Sequence, residues 1–286
     1  MSLFGLKKKD RNKIAFADSI RQERQYLIWS NKDFFLRESY KSTRTNVKFS
    51  LAGVEGCKIF GVISSMQSEG KSITAANLAM SFADTGASVL LIDCDLRKPK
   101  LSRLLETSGD RGLSDVLMDF SLLSSSIVQV KDGKRLWLLS SGSIPPNPSE
   151  LLGSETMQKL IEILSNKFDY IILDTPPVDM VTDALVLNPI IDGMLFVVRA
   201  GASDRRAIQH AIDQLEYTHT KILGIVFNGS DSASGGYGYK KYGYGKYGYR
   251  RYGYSYGYQN KVAYVKETEE AQKSQEESTN TQETND

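Results

Sequence analysis

A nine-residue segment, Ser64–Ser72, has the residue types and spacing of a phosphate-binding loop. It follows the apolar run Ile59–Ile63 and departs from the pattern G-x-x-x-x-G-K-[ST] at Ser65, where the first glycine is usual. Between a strand and a helix, backbone N–H groups of such a loop surround phosphate oxygens. Lys71 would reach the β- and γ-phosphates, and Ser72 would ligate Mg2+. The predicted nucleotide contacts here are Ser68, Glu69, Gly70, Lys71, Ser72 and Ile73. The segment therefore predicts binding of a nucleoside triphosphate with Mg2+.

Three aspartates at the ends of two further apolar runs would complete a phosphoryl-transfer site. Asp93 and Asp95 follow the run 89–92, and Asp174 follows the run 170–173. Carboxylates in such positions can hold Mg2+ or position an attacking hydroxyl by accepting its proton. We assign Asp174 as the Walker B acid, Asp93 to Mg2+ and Asp95 as the base, with Lys71 as the catalytic cation. The sequence leaves the order of Asp93 and Asp95 open, and each aspartate could instead serve a turn or a helix cap.

The sequence says less about which nucleobase the bound nucleotide carries. Asn228-Gly229-Ser230-Asp231 follows the last apolar run and is similar to the guanine-reading N-K-x-D pattern without its lysine. ATP is therefore the preferred nucleotide, and Asn228 is a candidate contact to the adenine edge. An asparagine that only terminates a strand is an equally good interpretation.

The elements that must position these residues alternate along residues 56–229. Short, β-branched and continuously apolar runs are typical of strands buried on both faces of a parallel sheet. They lie at Ile59–Ile63, Val89–Ile92, Tyr170–Leu173, Met194–Val198 and Ile222–Phe227, with helical patterns at Ser72–Asp84, Glu155–Leu164 and Asp204–Glu216. This alternation predicts an α/β, doubly wound, mainly parallel sheet with helices on both faces. Ligands of such sheets bind beyond the carboxyl ends of the strands, where the polar residues above fall.

Two other segments flank this domain. Residues 1–55 are polar and helical in pattern, whereas residues 230–286 carry no core-forming pattern and are expected to be disordered. Within residues 237–258 a Tyr-Gly-Tyr unit recurs with five basic residues and no acid. Its ten tyrosines are Tyr237, Tyr239, Tyr242, Tyr244, Tyr247, Tyr249, Tyr252, Tyr254, Tyr256 and Tyr258. Tyrosines in a flexible tether could reach a neighbouring active site as phosphate acceptors. The alternative is an adhesive tail that stacks on single-stranded nucleic acid.

Composition narrows the class of protein without deciding it. The formal net charge is +2 and 41% of residues are hydrophobic, as expected of a chain with a buried core and no overall bias toward nucleic acid. Cys57 and Cys94 have no metal-like spacing and fit a reducing cytosol. No apolar run approaches the roughly 18–20 residues that cross a bilayer. We expect a cytoplasmic protein, which would have to be held by something else if it works at a membrane.

Taken together, these motifs resemble those of the bacterial tyrosine kinases. The resemblance rests on the phosphate loop, on residues 91–99 (LIDCDLRKP), on residues 141–152 (SGSIPPNPSELL) and on 174–177 (DTPP), together with the tyrosine-rich end. The free-standing kinases of Gram-positive capsule and exopolysaccharide clusters are the most similar type. The resemblance implies a P-loop NTPase fold related to MinD and ParA, and a second acidic motif, hhhhDxDxR, in which Arg97 also contacts the nucleotide.

The resemblance further implies partners. An E-x-x-R-x-x-R motif for ring formation falls on Glu38, Lys41 and Arg44, with a lysine in place of the first arginine. It also implies a membrane-anchored activator, a polysaccharide co-polymerase, whose cytoplasmic tail completes the nucleotide site, and a cognate tyrosine phosphatase. No nucleic acid is expected.

The expected function is that of an ATP- and Mg2+-dependent protein-tyrosine kinase. It would phosphorylate its own tyrosine cluster, in trans, and regulate polysaccharide synthesis and export. The alternatives are a MinD- or ParA-like switch ATPase and a scaffold without kinase activity. Those ATPases usually carry a lysine just after the first glycine of the loop, and Met66 stands there instead.

Overall fold

The computed structural model describes residues 20–178 and 182–230 of the chain. A seven-stranded sheet forms its centre, with the order β3-β4-β2-β5-β1-β6-β7. Every neighbouring pair is parallel except β3 and β4, which are antiparallel. The strands are β1 (Lys58–Ser64), β2 (Val89–Asp93), β3 (Ile127–Gln129), β4 (Leu136–Leu139), β5 (Tyr170–Asp174), β6 (Gly193–Arg199) and β7 (Ile222–Asn228). The predicted α/β fold class is confirmed.

The helices lie between successive strands along the chain, apart from α1, which precedes β1. They are α1 (Phe34–Ser50), α2 (Lys71–Ala83), α3 (Leu101–Leu104), α4 (Leu113–Met118), α5 (Leu123–Ser126), α6 (Pro148–Leu152), α7 (Glu155–Ser165) and α8 (Arg205–Tyr217), with 3-10 segments at Phe120–Leu122 and Thr182–Ile190. All five predicted strands and all three predicted helices are present, each within a residue or so of its expected bounds. The short strands β3 and β4 were not predicted.

Successive residues of the central strands pack on opposite faces of the sheet. In β2, Val89 and Leu91 join the apolar cluster that includes α2, whereas Leu90 and Ile92 join the cluster that includes α7. Every residue of β2 is buried. A strand covered on both faces needs apolar side chains at every position, which explains why this run does not alternate with polar residues.

The part of the N-terminal segment that the structure describes packs onto this core. Val47 and Leu51 are buried in the same cluster as α2. Asn77 of α2 accepts a hydrogen bond from the Ile28 amide at 2.8 Å and donates to the Tyr26 carbonyl at 2.8 Å. Helix α1 and the residues before it thus lie against α2, the helix that begins at the phosphate loop.

Two predicted elements lie wholly or partly outside the described residues. The tyrosine cluster at 237–258 is outside them, as is Asp231 of the guanine-like pattern. Within residues 20–178 and 182–230, no helix combines the length and the apolarity needed to cross a membrane.

Candidate active site

The phosphate loop joins β1, near the middle of the sheet, to the N-terminus of α2. Gly70 is the N-cap of α2 at φ 97°, and Ser68 has φ 65°. The left-handed region is easily reached by glycine and costs a serine conformational energy. The backbone N–H groups of the first turn of α2 have no partner within the helix, and the positive end of the helix dipole lies here. The loop therefore has the backbone geometry of an anion-binding site.

A buried glutamate organises the loop from within. The side chain of Glu69 accepts hydrogen bonds from the Ser65 hydroxyl at 2.9 and 3.0 Å and from the Met66 amide at 2.8 Å. Glu69 is 3% exposed and Ser65 is fully buried. Ser65, at the position of the usual first glycine, thus contributes a bond that a glycine could not make. The departure from the usual motif at Ser65 therefore has a structural role in the loop.

Residues at the ends of β6 and β7 and in the turn after β6 donate hydrogen bonds to the loop. Arg199 donates from Nη1 to the Ser68 carbonyl at 2.7 Å, and the Ser203 hydroxyl donates to the Glu69 carboxylate. Asn228 donates from Nδ2 to the Glu69 carbonyl at 2.9 Å. Asn228 therefore supports the phosphate loop through its amide nitrogen, and its contact with adenine stays a prediction. Sequence reasoning missed Arg199 and Ser203, although their position just after a predicted parallel strand is a signal for such roles.

The three predicted aspartates and the loop lysine meet at the carboxyl edge of the sheet. Asp93 and Asp174 are partners in the β2–β5 register. Lys71 forms an ion pair with Asp95, with 3.3 Å between Nζ and Oδ2, and both side chains are about nine-tenths buried. The fold thus brings together residues 71, 93, 95 and 174, as the sequence predicted.

Asp93 and Asp95 differ in their surroundings. Asp93 is fully buried, and its carboxylate accepts hydrogen bonds from three backbone amides, those of Asp95 at 3.2 Å, Lys100 at 3.2 Å and Leu101 at 3.1 Å. Burial raises the pKa of Asp93 to about 8, and the charge of Asp174 adds to the increase. The side chain of Asp93 is therefore occupied in shaping the loop that follows β2.

Asp174 is buried without such support. Among the described residues neither of its carboxylate oxygens has a hydrogen-bond partner. Burial raises its pKa to about 6, while the charge of Lys71 and the nearby Ser72 hydroxyl limit the increase. A buried and unpaired carboxylate is costly, and a cation would remove the cost.

This arrangement fits Mg2+ bound together with a nucleotide. Mg2+ usually takes one or two protein oxygens, several waters and substrate phosphates. Asp174 and the Ser72 hydroxyl supply that kind of oxygen set next to the phosphate loop. In the described part of the chain no three acidic, histidine or cysteine side chains converge as a self-sufficient metal site. The residues therefore suit a cation that arrives with its phosphates.

Arg97 lies in the predicted acidic motif but pairs within the protein. Its guanidinium contacts both carboxylate oxygens of Asp183, at 2.7 and 3.1 Å. Ser149 also donates to Asp183. Burial alone would raise the pKa of Asp183, but the hydrogen bonds from Arg97 and Ser149 leave it below its usual value. In this structure Arg97 ties the loop after β2 to the segment 182–190, and its contact with the nucleotide stays a prediction.

The three residues of the predicted ring motif lie on α1 and differ in their contacts. Lys41 pairs with Glu38 on the exposed face at 2.6 Å between Nζ and Oε1. Arg44 instead donates to the carbonyl and the hydroxyl of Ser81 in α2, at 2.6 and 3.0 Å. Only the first two therefore present their charged groups on the outer face of this helix.

Comparison with known proteins places this site in a family. The ParA family, described as NUBPL iron-transfer P-loop NTPase, matches residues 57–285. The tyrosine-protein kinase YwqD of Bacillus subtilis is 37% identical over 220 residues, which is 77% of this chain and 92% of that protein. This chain belongs to the bacterial tyrosine kinases.

Two further relatives agree with that assignment. The tyrosine-protein kinase CpsD of Streptococcus agalactiae is 39% identical over 202 residues, covering 70% of this chain and 85% of the relative. The kinase domain of the Escherichia coli tyrosine kinase ETK superposes with a TM-score of 0.66 at 30% identity, covering 73% of this chain and 80% of that one. As a bacterial tyrosine kinase with a P-loop NTPase fold, the protein is a nucleotide-binding enzyme.

Proposed function

We propose that this protein is an ATP- and Mg2+-dependent kinase that phosphorylates the tyrosines of segment 237–258 on a neighbouring copy of itself. Through this reaction it regulates capsular or exopolysaccharide synthesis and export. The observation that carries the proposal is the buried Asp174 carboxylate without a partner among the described residues, beside the Lys71–Asp95 pair and the phosphate loop. A charge arrangement of this kind suits a metal-bound triphosphate.

Each group in the site has a distinct role in this proposal. The backbone of residues 68–73 and the Lys71 ammonium bind the triphosphate, and the Asp174 carboxylate and Ser72 hydroxyl hold the cation. Bound there, Mg2+ would neutralise the negative charge that develops during phosphoryl transfer. Asp174 in turn loses the cost of an unpaired buried charge.

Asp95 is the proposed base, in preference to Asp93. A tyrosine hydroxyl has a pKa near 10, so a positioned carboxylate must accept its proton at neutral pH. Asp93 is fully buried and accepts three backbone hydrogen bonds. Asp95 keeps about a tenth of its side chain exposed, and its Oδ2 would become free if Lys71 turned to bound phosphates. Asp93 then supports the site by fixing the loop that carries Asp95.

The basic, tyrosine-rich tail is the proposed substrate. Its lysines and arginines suit an approach to the triphosphate and to the acidic strand ends. Each phosphate adds about −1.5 to −2 charges, so several of them reverse the charge of the tail. Assembly into a ring through Glu38 and Lys41 of α1 would place one tail near the next active site. A membrane-anchored activator then recruits the cytoplasmic kinase to the inner face of the membrane, and a cognate phosphatase resets it.

A two-protein assay tests both the chemistry and its trans character. A full-length Lys71→Met protein is mixed with active protein truncated after residue 230, Mg2+ and ATP, with and without the cytoplasmic tail of the activator. Mass spectrometry should find phosphotyrosine within 237–258 of the Lys71→Met chain. A Lys159→Met change on α7 is the matched control, because it alters an exposed lysine outside the loop. Phosphotyrosine on full-length Lys71→Met protein incubated alone would contradict the proposal.

A switch ATPase without kinase activity is the second candidate, since the chain also matches the ParA family. That function predicts nucleotide-dependent assembly and ATP hydrolysis with no phosphotyrosine on any tail. Measuring released phosphate and phosphotyrosine in the same reaction separates the two functions.

A further inference from the structure

Three side chains, at the ends of β6 and β7 and in the turn after β6, support the phosphate loop, although the loop motif does not include them. They are Arg199, Ser203 and Asn228, called the loop clamp below. They reach the loop across sequence separations of 131 to 159 residues. The clamp is itself connected, because the Arg199 amide donates to the Ser203 hydroxyl at 2.8 Å and the Ala200 amide donates to the Asn228 carbonyl at 2.9 Å.

The clamp acts on the part of the loop whose backbone is least favourable. Ser68 has φ 65°, a conformation that a non-glycine residue adopts only with support from its surroundings. Its carbonyl accepts the Arg199 bond. Asn228 packs against Gly70, where an added Cβ atom would lie 2.0 Å from Nδ2. The clamp therefore contacts the loop at both residues that have positive φ.

The clamp also holds a charge that would otherwise oppose the ligand. The Glu69 carboxylate is buried inside a loop that binds an anion, so its charge repels phosphates. Ser65, Met66 and Ser203 all donate to it. These bonds keep the carboxylate turned into the loop, and they leave the N–H groups of the first turn of α2 for the ligand.

We propose that Arg199, Ser203 and Asn228 are positioning residues that hold the loop in its phosphate-binding conformation before the nucleotide arrives. The proposal rests on the proposed nucleotide binding and adds residues outside the motif. A preformed loop binds more tightly because less ordering is needed on binding. Loss of a clamp bond should therefore weaken nucleotide affinity and loosen residues 65–70, while the rest of the sheet stays unchanged.

Asn228→Asp is the sharpest variant, because it keeps the size of the side chain and replaces the donor to Glu69 with an acceptor. We expect it to weaken binding of a fluorescent ATP analogue with Mg2+ by about ten-fold or more. Arg199→Ala should weaken binding by about three- to ten-fold, since its bond is exposed to water. Arg199→Lys should restore part of the loss. Arg206→Ala, on the exposed surface of α8, is the matched control.

Hydrogen exchange provides a readout that does not depend on the ligand. Without nucleotide, the amides of residues 65–70 should exchange faster in Asn228→Asp and Arg199→Ala, with no change in β2 or β5. Unchanged affinity and unchanged loop exchange in both variants would overturn the clamp. If the wild-type protein bound no nucleotide, the proposed function would fail, and the exchange experiment would still decide whether the clamp holds the loop. A general loss of folding would appear as faster exchange in β2 and β5 and would count against a specific positioning role.

Discussion

Changing Asp174 to asparagine should stabilise the ligand-free protein and weaken its response to Mg2+ and nucleotide. The carboxylate is buried without a hydrogen-bond partner among the described residues, so its charge costs free energy until a cation binds. The substituted amide side chain would have a similar shape and no charge. A residue that we propose holds the cation is thus expected to lower the stability of the ligand-free fold.

The magnitude follows from the pKa of Asp174, about 6 in the fold against 3.8 for an ordinary aspartate. This difference in pKa corresponds to a penalty of about 3 kcal/mol for the ionised form. Because the folded pKa is raised, the protonated carboxyl stabilises the fold fully below about pH 4, and this stabilisation is lost as pH rises through about 6. The free energy of unfolding of the ligand-free variant should therefore exceed that of the wild type by about 3 kcal/mol at pH 8 and by about half of that at pH 5.

Thermal unfolding at the two pH values, with and without Mg2+ and a non-hydrolysable ATP analogue, measures this difference. About 3 kcal/mol corresponds to a Tm increase of roughly 6–12 °C for a domain of this size. With ligand present, the wild type should gain stability and Asp174→Asn should gain less. Equal stability of the two ligand-free proteins at pH 8, or a variant that is less stable at both pH values, would refute the reasoning.

Asp169 lies just before β5, the strand that ends at Asp174, and its substitution should change stability in the opposite direction. Hydrogen bonds from the Ser88 amide and hydroxyl lower its pKa. A carboxyl group whose pKa is lowered by folding stabilises the protein at pH values above its pKa in the unfolded chain. This stabilisation is lost as pH falls through the pKa of the folded state. Asp169→Asn should therefore destabilise the protein at pH 8, by less than Asp174→Asn stabilises it, because Asp169 is largely exposed to solvent.

Three further changes test other parts of the site and its scaffold. Arg97→Ala leaves the buried Asp183 carboxylate without its bidentate partner. The free energy of unfolding measured in urea should fall by about 1–3 kcal/mol, less than for a fully buried pair because Arg97 is 43% exposed. Ser154→Ala removes the N-cap of α7 and should cost about 1 kcal/mol in the same assay, with nucleotide affinity unchanged. Gly70→Ala places a Cβ atom 2.0 Å from Asn228 Nδ2 at a backbone φ of 97°. It should weaken ATP-analogue binding at least ten-fold in a fluorescence titration, because only glycine adopts this conformation easily. Retained affinity would contradict the backbone argument.

The sheet and the main site were predictable because their signals are local. Each buried parallel strand is a continuous apolar run, and the aspartates follow those runs directly, so strand ends and site residues were found together. Strands β3 and β4 were missed because they contain three and four residues, too few for a periodic pattern to stand out. The phosphate loop was predicted from Gly70, Lys71 and Ser72 together with the strand pattern before them and the helical pattern after them.

Contacts between distant segments were not predictable. Arg97 meets Asp183 across 86 residues, and Arg44 meets Ser81 across 37. A sequence pattern shows that an arginine lies in a motif, but the partner of its guanidinium depends on which loops the fold brings alongside. The predicted nucleotide contact of Arg97 and the predicted interface role of Arg44 therefore stay predictions, each beside a contact that only the structure revealed.

By itself, the sequence determined the chemistry: a phosphate loop, three strand-end aspartates and a tail of tyrosines and basic residues. Tertiary structure decided how those groups differ. Asp93 and Asp174 are neighbours in register, yet backbone amides satisfy one carboxylate and, among the described residues, leave the other unpaired. Identical side chains acquire different roles because burial and hydrogen bonding are set by neighbours far away in the chain, and residue type carries no record of them.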